Sequence, residues 1–145
     1  MEKVLVSLTD LEMEARALVG RLSPTPGAAT LITLSGELGA GKTAFTQAVA
    51  KAYGVSESVT SPTFVLEKVY TLPAESGFAH LIHIDAYRLE SAEELKVLGW
   101  DSLLKEEGNL ILLEWPEHVA SALPKASVAI RLVPQADGSR LMSYA

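Results

Sequence analysis

The residues with the clearest chemical potential lie in "SGELGAGKT", where Gly36, Gly41, Lys42 and Thr43 complete the pattern G-x-x-x-x-G-K-[ST]. Glycines at these spacings let a backbone wrap closely enough for successive amide N–H groups to point inward at phosphate oxygens. A helix that begins at the end of such a loop adds the positive end of its dipole. Lys42 can reach the β and γ phosphates of a nucleotide, and the Thr43 hydroxyl can ligate the magnesium ion that bridges them. Chance alone yields the pattern in roughly 0.5% of chains of this length. Nucleotide binding therefore outweighs the alternative, a glycine-rich turn followed by a solvated lysine.

A metal–phosphate site also needs a carboxylate at the end of an apolar strand beside the loop. Asp85, after "HLIHI", and Glu114, after "NLILL", both end runs that should be buried, where an unpaired charge is costly. Taken singly, Asp85 could be a turn cap or an ion-pair partner of Arg88, and Glu114 a surface acid at an exposed strand end. Together, in a short chain that already carries a phosphate loop, they favour a metal site. "TSPTF" (Thr60 to Phe64) sets hydroxyls before a strand, either as a plain proline turn or as a switch segment. His80, His83 and His118 read as structural or surface residues, since strand alternation puts the first two on opposite faces. Trp100 and Trp115 read by default as packing residues.

These groups require a scaffold of alternating strands and helices. "KVLVSL" (Lys3 to Leu8) reads as a strand, and Thr9 with Glu12 has the spacing of a capping box. Leu11, Ala15, Leu18, Val19 and Leu22 then follow a helical period until "SPTPG". "TLITLS" leads into the glycines, and "KTAFTQAVAKAYG" (Lys42 to Gly54) places Phe45, Val49 and Ala52 on one helical face. "FVLEKVY" and "AHLIHID", separated by "TLPAESG", predict an antiparallel hairpin. Ser91 and Glu94 open a short helix, and "NLILLEW" is an apolar strand that Pro116 ends. "SVAIRLV" and "RLMSY" are expected to add edge strands. The pattern predicts one α/β domain over residues 1–145, with a mixed central sheet, mostly parallel, and antiparallel edge strands. Ligands of such sheets bind beyond the strand C-termini, where the glycine loop sits.

Composition narrows the function. The 145 residues are 48% hydrophobic and 21% charged, an ordinary globular balance. The absence of cysteine removes disulfides, thiolate zinc sites and Cys-His nucleophiles together. The formal net charge is −6 and the 12 basic residues form no cluster, which argues against independent binding of DNA or RNA. No window reaches transmembrane length and the N-terminus has no leader pattern, so the expected compartment is the cytoplasm.

Taken in order, "GELGAGKTAF", "SPTF", "HIDAYRL" and "LLEWPE" resemble the TsaE (YjeE) family of bacterial ATPases in tRNA threonylcarbamoyladenosine biosynthesis, over nearly the full chain. The resemblance implies a three-layer P-loop fold and an ATPase that binds ATP, ADP and Mg2+. It also implies action with the TsaB and TsaD proteins, which modify the adenosine next to the anticodon in tRNAs reading codons that start with A. The tRNA would be contacted mainly through those partners. Carried onto this sequence, the nucleotide falls on Glu37, Leu38, Gly39, Ala40, Gly41, Lys42, Thr43 and Ala44, and the metal on Thr43 and Glu114. Thr63 becomes the switch-loop threonine, and Trp115 moves from packing residue to site residue. Lys42, Asp85 and Glu114 become the catalytic set, with both acids standing as candidates for activating water. Glu37 departs from the family's common aspartate and Ala44 from its second threonine, which bears on rate more than on binding.

Three other activities fit less of the chain. A non-catalytic module gated by nucleotide would use the same loop. A small-molecule kinase would need an arginine-rich lid, which five scattered arginines do not form. A GTPase would need N-K-x-D, but the one asparagine is Asn109.

Overall fold

The computed structural model describes residues 1–37, 39–55 and 67–144; Leu38, Thr63 and the first three residues of "FVLEKVY" lie outside them. Seven strands form one sheet: β1 (Glu2–Leu5), β2 (Thr30–Ser35), β3 (Glu67–Thr71), β4 (His80–Asp85), β5 (Asn109–Glu114), β6 (Val128–Pro134) and β7 (Arg140–Tyr144). Their order is β1-β7-β6-β2-β5-β4-β3. The central ladders β6–β2, β2–β5 and β5–β4 are parallel, while β3–β4, β6–β7 and β7–β1 are antiparallel. The hairpin predicted for β3 and β4 is present. The expectation that β6 and β7 are edges is corrected: β6 lies between β2 and β7, and the edges are β1 and β3. Pairing partners depend on long-range register, which local alternation does not encode.

Helix α1 (Leu8–Arg21) starts two residues before Asp10, which the expected Thr9–Glu12 box would make the first helical residue. Ser7 is the N-cap, its hydroxyl accepting from the Asp10 N–H at 3.2 Å, and the Asp10 carboxylate accepts from the Val6 N–H at 2.9 Å. This reciprocal pair satisfies two otherwise orphaned donors and cuts the first strand off at Leu5. Helix α2 (Lys42–Ala52) stops at Tyr53 and Gly54, the glycine taking φ +85°. Helix α3 (Ala92–Val97) has the expected box, with the Glu94 carboxylate accepting from the N–H groups of Glu90 and Ser91. A further short helix, α4, spans Trp100–Leu104.

Alternation along the central strands builds two cores, one on each face of the sheet. Ile32, Leu34, Leu81, Leu110, Leu112 and Leu132 face α1 and α2, where Ala15, Leu18, Phe45 and Val49 meet them. Leu31, Ile82, Ile84, Ile111 and Leu113 face the other way, onto Leu95 and Trp100. The result is a three-layer α/β architecture with a central sheet buried on both sides. No helix among the described residues is long and apolar enough to cross a membrane.

Candidate functional site

The glycine loop joins the C-terminal end of β2 to the N-terminus of α2, and steric contacts explain its glycines. Gly36 has φ +145°, and a Cβ there would lie 2.4 Å from the Leu132 carbonyl oxygen on β6. Gly41, the N-cap of α2, has φ +99°, and a Cβ would meet the Arg140 Nε of β7 at 2.8 Å. Among the described residues no side chain caps α2 and no acid lies in its first turn. Its exposed N–H groups and dipole are thus available to an anion rather than to the protein's own carboxylates.

Lys42 is 5% exposed, with Nζ donating to the carbonyls of Gly36 at 2.5 Å and Glu37 at 2.9 Å. The same ammonium lies 4.2 Å from the Trp115 ring centroid. Burial pushes the Lys42 amine below the ordinary lysine range, and Glu114, Asp85 and Glu117 oppose that shift. The lysine is therefore held between the start of the loop and the acidic wall of the site.

That wall comes from strand register. Asp85 of β4 pairs with Glu114 of β5, and Glu114 pairs with Leu34 of β2, so both acids stand at the C-terminal rim on the α2 side. Glu114 is 2% exposed, which overturns the alternative of a surface acid at an open strand end. Its Oε2 accepts from His83 Nε2, and this histidine is fully buried. Asp85 is half-buried and accepts from the Tyr87 N–H at 2.9 Å, so its carboxylate also closes the turn after β4.

Trp115 follows Glu114 with φ +60°, the one positive φ outside glycine among the described residues. Its N–H donates to the Leu34 carbonyl at 3.1 Å, and its ring forms a three-membered cluster with Tyr87 at 5.1 Å and His118 at 5.3 Å, which are themselves 6.3 Å apart. His118 Nδ1 in turn meets the Ala86 carbonyl at 2.9 Å. This over-determined, strained position is the kind that persists where a side chain must be aimed. A cleft of about 300 Å³ opens between the ring and the loop, lined by Ser35, Gly36, Glu37, Trp115, Glu117 and Arg131.

The remaining loop residues differ in environment. Gly39 and Glu37 are exposed, Ala40 is buried, and Thr43 and Ala44 are half-buried, with Ala44 packed on the core. Leu38 and Thr63 lie outside the described residues. Thr43 and Glu114 offer oxygen donors, the ligand type that suits a hard cation such as Mg2+. That is the donor set expected when one or two protein oxygens hold Mg2+ together with phosphates.

Sequence reasoning missed three contributors: His83 on Glu114, the Tyr87–Trp115–His118 stack, and Arg140 against the loop. A signal existed for His83, because it precedes Asp85 by two residues on a strand and so shares its face. None existed for Arg140, which reaches Gly41 only because β7 is brought beside β6.

A family model described as "Threonylcarbamoyl adenosine biosynthesis protein TsaE" matches residues 9–142. The "tRNA threonylcarbamoyladenosine biosynthesis protein TsaE" of Treponema pallidum is 39% identical over 128 residues, 88% of each chain. Its namesake in Streptomyces coelicolor is 38% identical over 118 residues, 81% of this chain and 77% of that one. The crystal structure of Bacillus subtilis YdiB matches with a TM-score of 0.78 and 26% identity, over 99% of this chain and 83% of that chain. The glycine loop, the "HIDAYRL" strand end and the "LLEWPE" turn all fall within the matched span, and the chain belongs to the TsaE family.

Proposed function

We propose that this chain is an Mg2+-dependent ATPase that serves threonylcarbamoyl modification of tRNA together with TsaB and TsaD proteins. The observation that carries the proposal is the convergence on one rim of the uncapped N-terminus of α2, the buried Lys42 and the paired acids Asp85 and Glu114. The N–H groups of the loop and first helical turn bind the phosphates, and Lys42 exchanges its Gly36 and Glu37 carbonyls for β and γ phosphate oxygens. Thr43 and Glu114 would hold Mg2+, which would supply neutralisation of the charge on those oxygens. Asp85, more exposed than Glu114, orients the water that attacks the γ-phosphorus and takes its proton as the bond to the ADP oxygen breaks. Trp115 keeps the Lys42 ammonium aligned from above.

The role of partners rests on the family's name and on charge. A chain of net charge −6 without a basic stripe is a poor ligand for tRNA by itself, and a partner would hold the nucleic acid. The test is phosphate release and repeated tRNA modification with purified TsaB and TsaD, comparing this protein with its Lys42→Ala variant. Loss of at least about 100-fold in the variant is expected, in line with removal of a charge-stabilising donor. Equal rates would overturn the proposal, and nucleotide binding without turnover would leave a gated binding module in its place.

A further inference from the structure

We infer that His83 is a positioning residue that holds the Glu114 carboxylate in the orientation its metal role requires. This rests on the ATPase reading above and deepens it. His83 pairs in register with Leu112, two residues before Glu114, so the imidazole meets the carboxylate on the diagonal of neighbouring strands. The ring is fully buried, and Glu114 is its one hydrogen-bond partner among the described residues, because Nδ1 is buried without any. A carboxylate only accepts, so the proton of this bond belongs to Nε2.

The consequence is geometric. Binding Oε2 fixes the terminal rotation of Glu114 and commits one oxygen, which leaves Oε1 to define the direction of a metal bond. A buried histidine–glutamate pair has little value as a stabilising device, since apolar residues of similar volume serve a core as well or better. The strand is otherwise apolar on both faces at this level, with Leu81, Ile82 and Ile84 around His83. A polar residue retained there, with one partner in the candidate metal site, is accounted for by what it does to that partner.

The experiment compares His83→Leu, which removes the donor at similar volume, with His83→Gln, whose side-chain amide N–H can restore it. Two readouts are taken: the Mg2+ concentration that half-maximally strengthens binding of fluorescent ADP, and kcat and KM for ATP hydrolysis with the partner proteins. Expected for His83→Leu is a rise of about 10- to 100-fold in the Mg2+ requirement and a comparable fall in kcat. KM for ATP and metal-free ADP binding should change less than about twofold, with at least partial recovery in His83→Gln. Thermal melts confirm that each variant is folded. If His83→Leu fails to fold, His83→Gln carries the test, and a Mg2+ requirement and kcat like those of Glu114→Ala would overturn the inference. Unchanged Mg2+ dependence and kcat in folded His83→Leu would also overturn it. Glu114→Gln separates the two levels: if it too leaves Mg2+ dependence and turnover unchanged, the ATPase reading fails, whereas its loss beside an unaffected His83→Leu sinks only the role of His83.

Discussion

The glycines of the loop differ sharply in what a methyl group would meet. At Gly36 it would collide with a backbone carbonyl, that of Leu132, which cannot rotate away. Gly36→Ala should therefore lower the unfolding free energy by about 1–3 kcal/mol and weaken ADP binding at least about tenfold, as read by urea denaturation and titration. Gly39 has positive φ but open space around it, so Gly39→Ala should cost only the conformational penalty of about 1–2 kcal/mol. Both glycines are visible in the motif, but only the position of β6 tells them apart. Glu114 makes the same point: its type and strand-end position were legible, while its burial and its bond to His83 depended on where β4 lies.

At the scale of elements, the first strand, the first helix and the last strand are tied through one carboxylate. Glu14 on α1 accepts from Lys3 on β1 at 2.9 Å and from the Tyr144 hydroxyl on β7 at 2.5 Å. Burial by itself would raise the Glu14 carboxyl, but these bonds outweigh it and hold the group below its ordinary value of 4.5. A lowered carboxylate contributes stability that is fully present above the unfolded value and lost as pH falls through the folded one. Tyr144→Phe should thus destabilise by about 1–3 kcal/mol at pH 7. The gap to wild type should shrink below pH 4.5, as followed by denaturation across pH. On the opposite face, Trp100 is fully buried and its Nε1 donates to the Ala122 carbonyl at 3.0 Å. Trp100→Ala should cost about 3–5 kcal/mol by chemical denaturation, through the cavity and the lost bond together. The elements themselves were largely readable from periodicity and caps. The shift of the first cap from Thr9 to Ser7 was not, because both residues offer a hydroxyl and only the path of the chain from β1 selects one.

For the whole molecule, charge and ligand linkage give the clearest expectations. The protein alone should show no tRNA binding tighter than about 10⁻⁴ M at physiological salt, measured by filter retention. Mg2+–ADP at one hundred times its dissociation constant should stabilise the fold by about 2.7 kcal/mol, seen as a rise in melting temperature that Lys42→Ala abolishes. The sequence by itself determined the phosphate loop, the two strand-end acids, the alternation of helix and strand and the family, because each is written in residue types at short, regular spacings. Tertiary structure alone decided that β6 is internal, that β1 and β3 are the edges, that His83 meets Glu114, and that Arg140 and the Trp115 ring reach Gly41 and Lys42 of the loop and its helix. Those outcomes depend on which strands pair and in what register, and pairing is settled by burying two sheet faces at once across residues far apart in sequence, as Lys3 is from its β7 partner Met142 and Gly41 from Arg140.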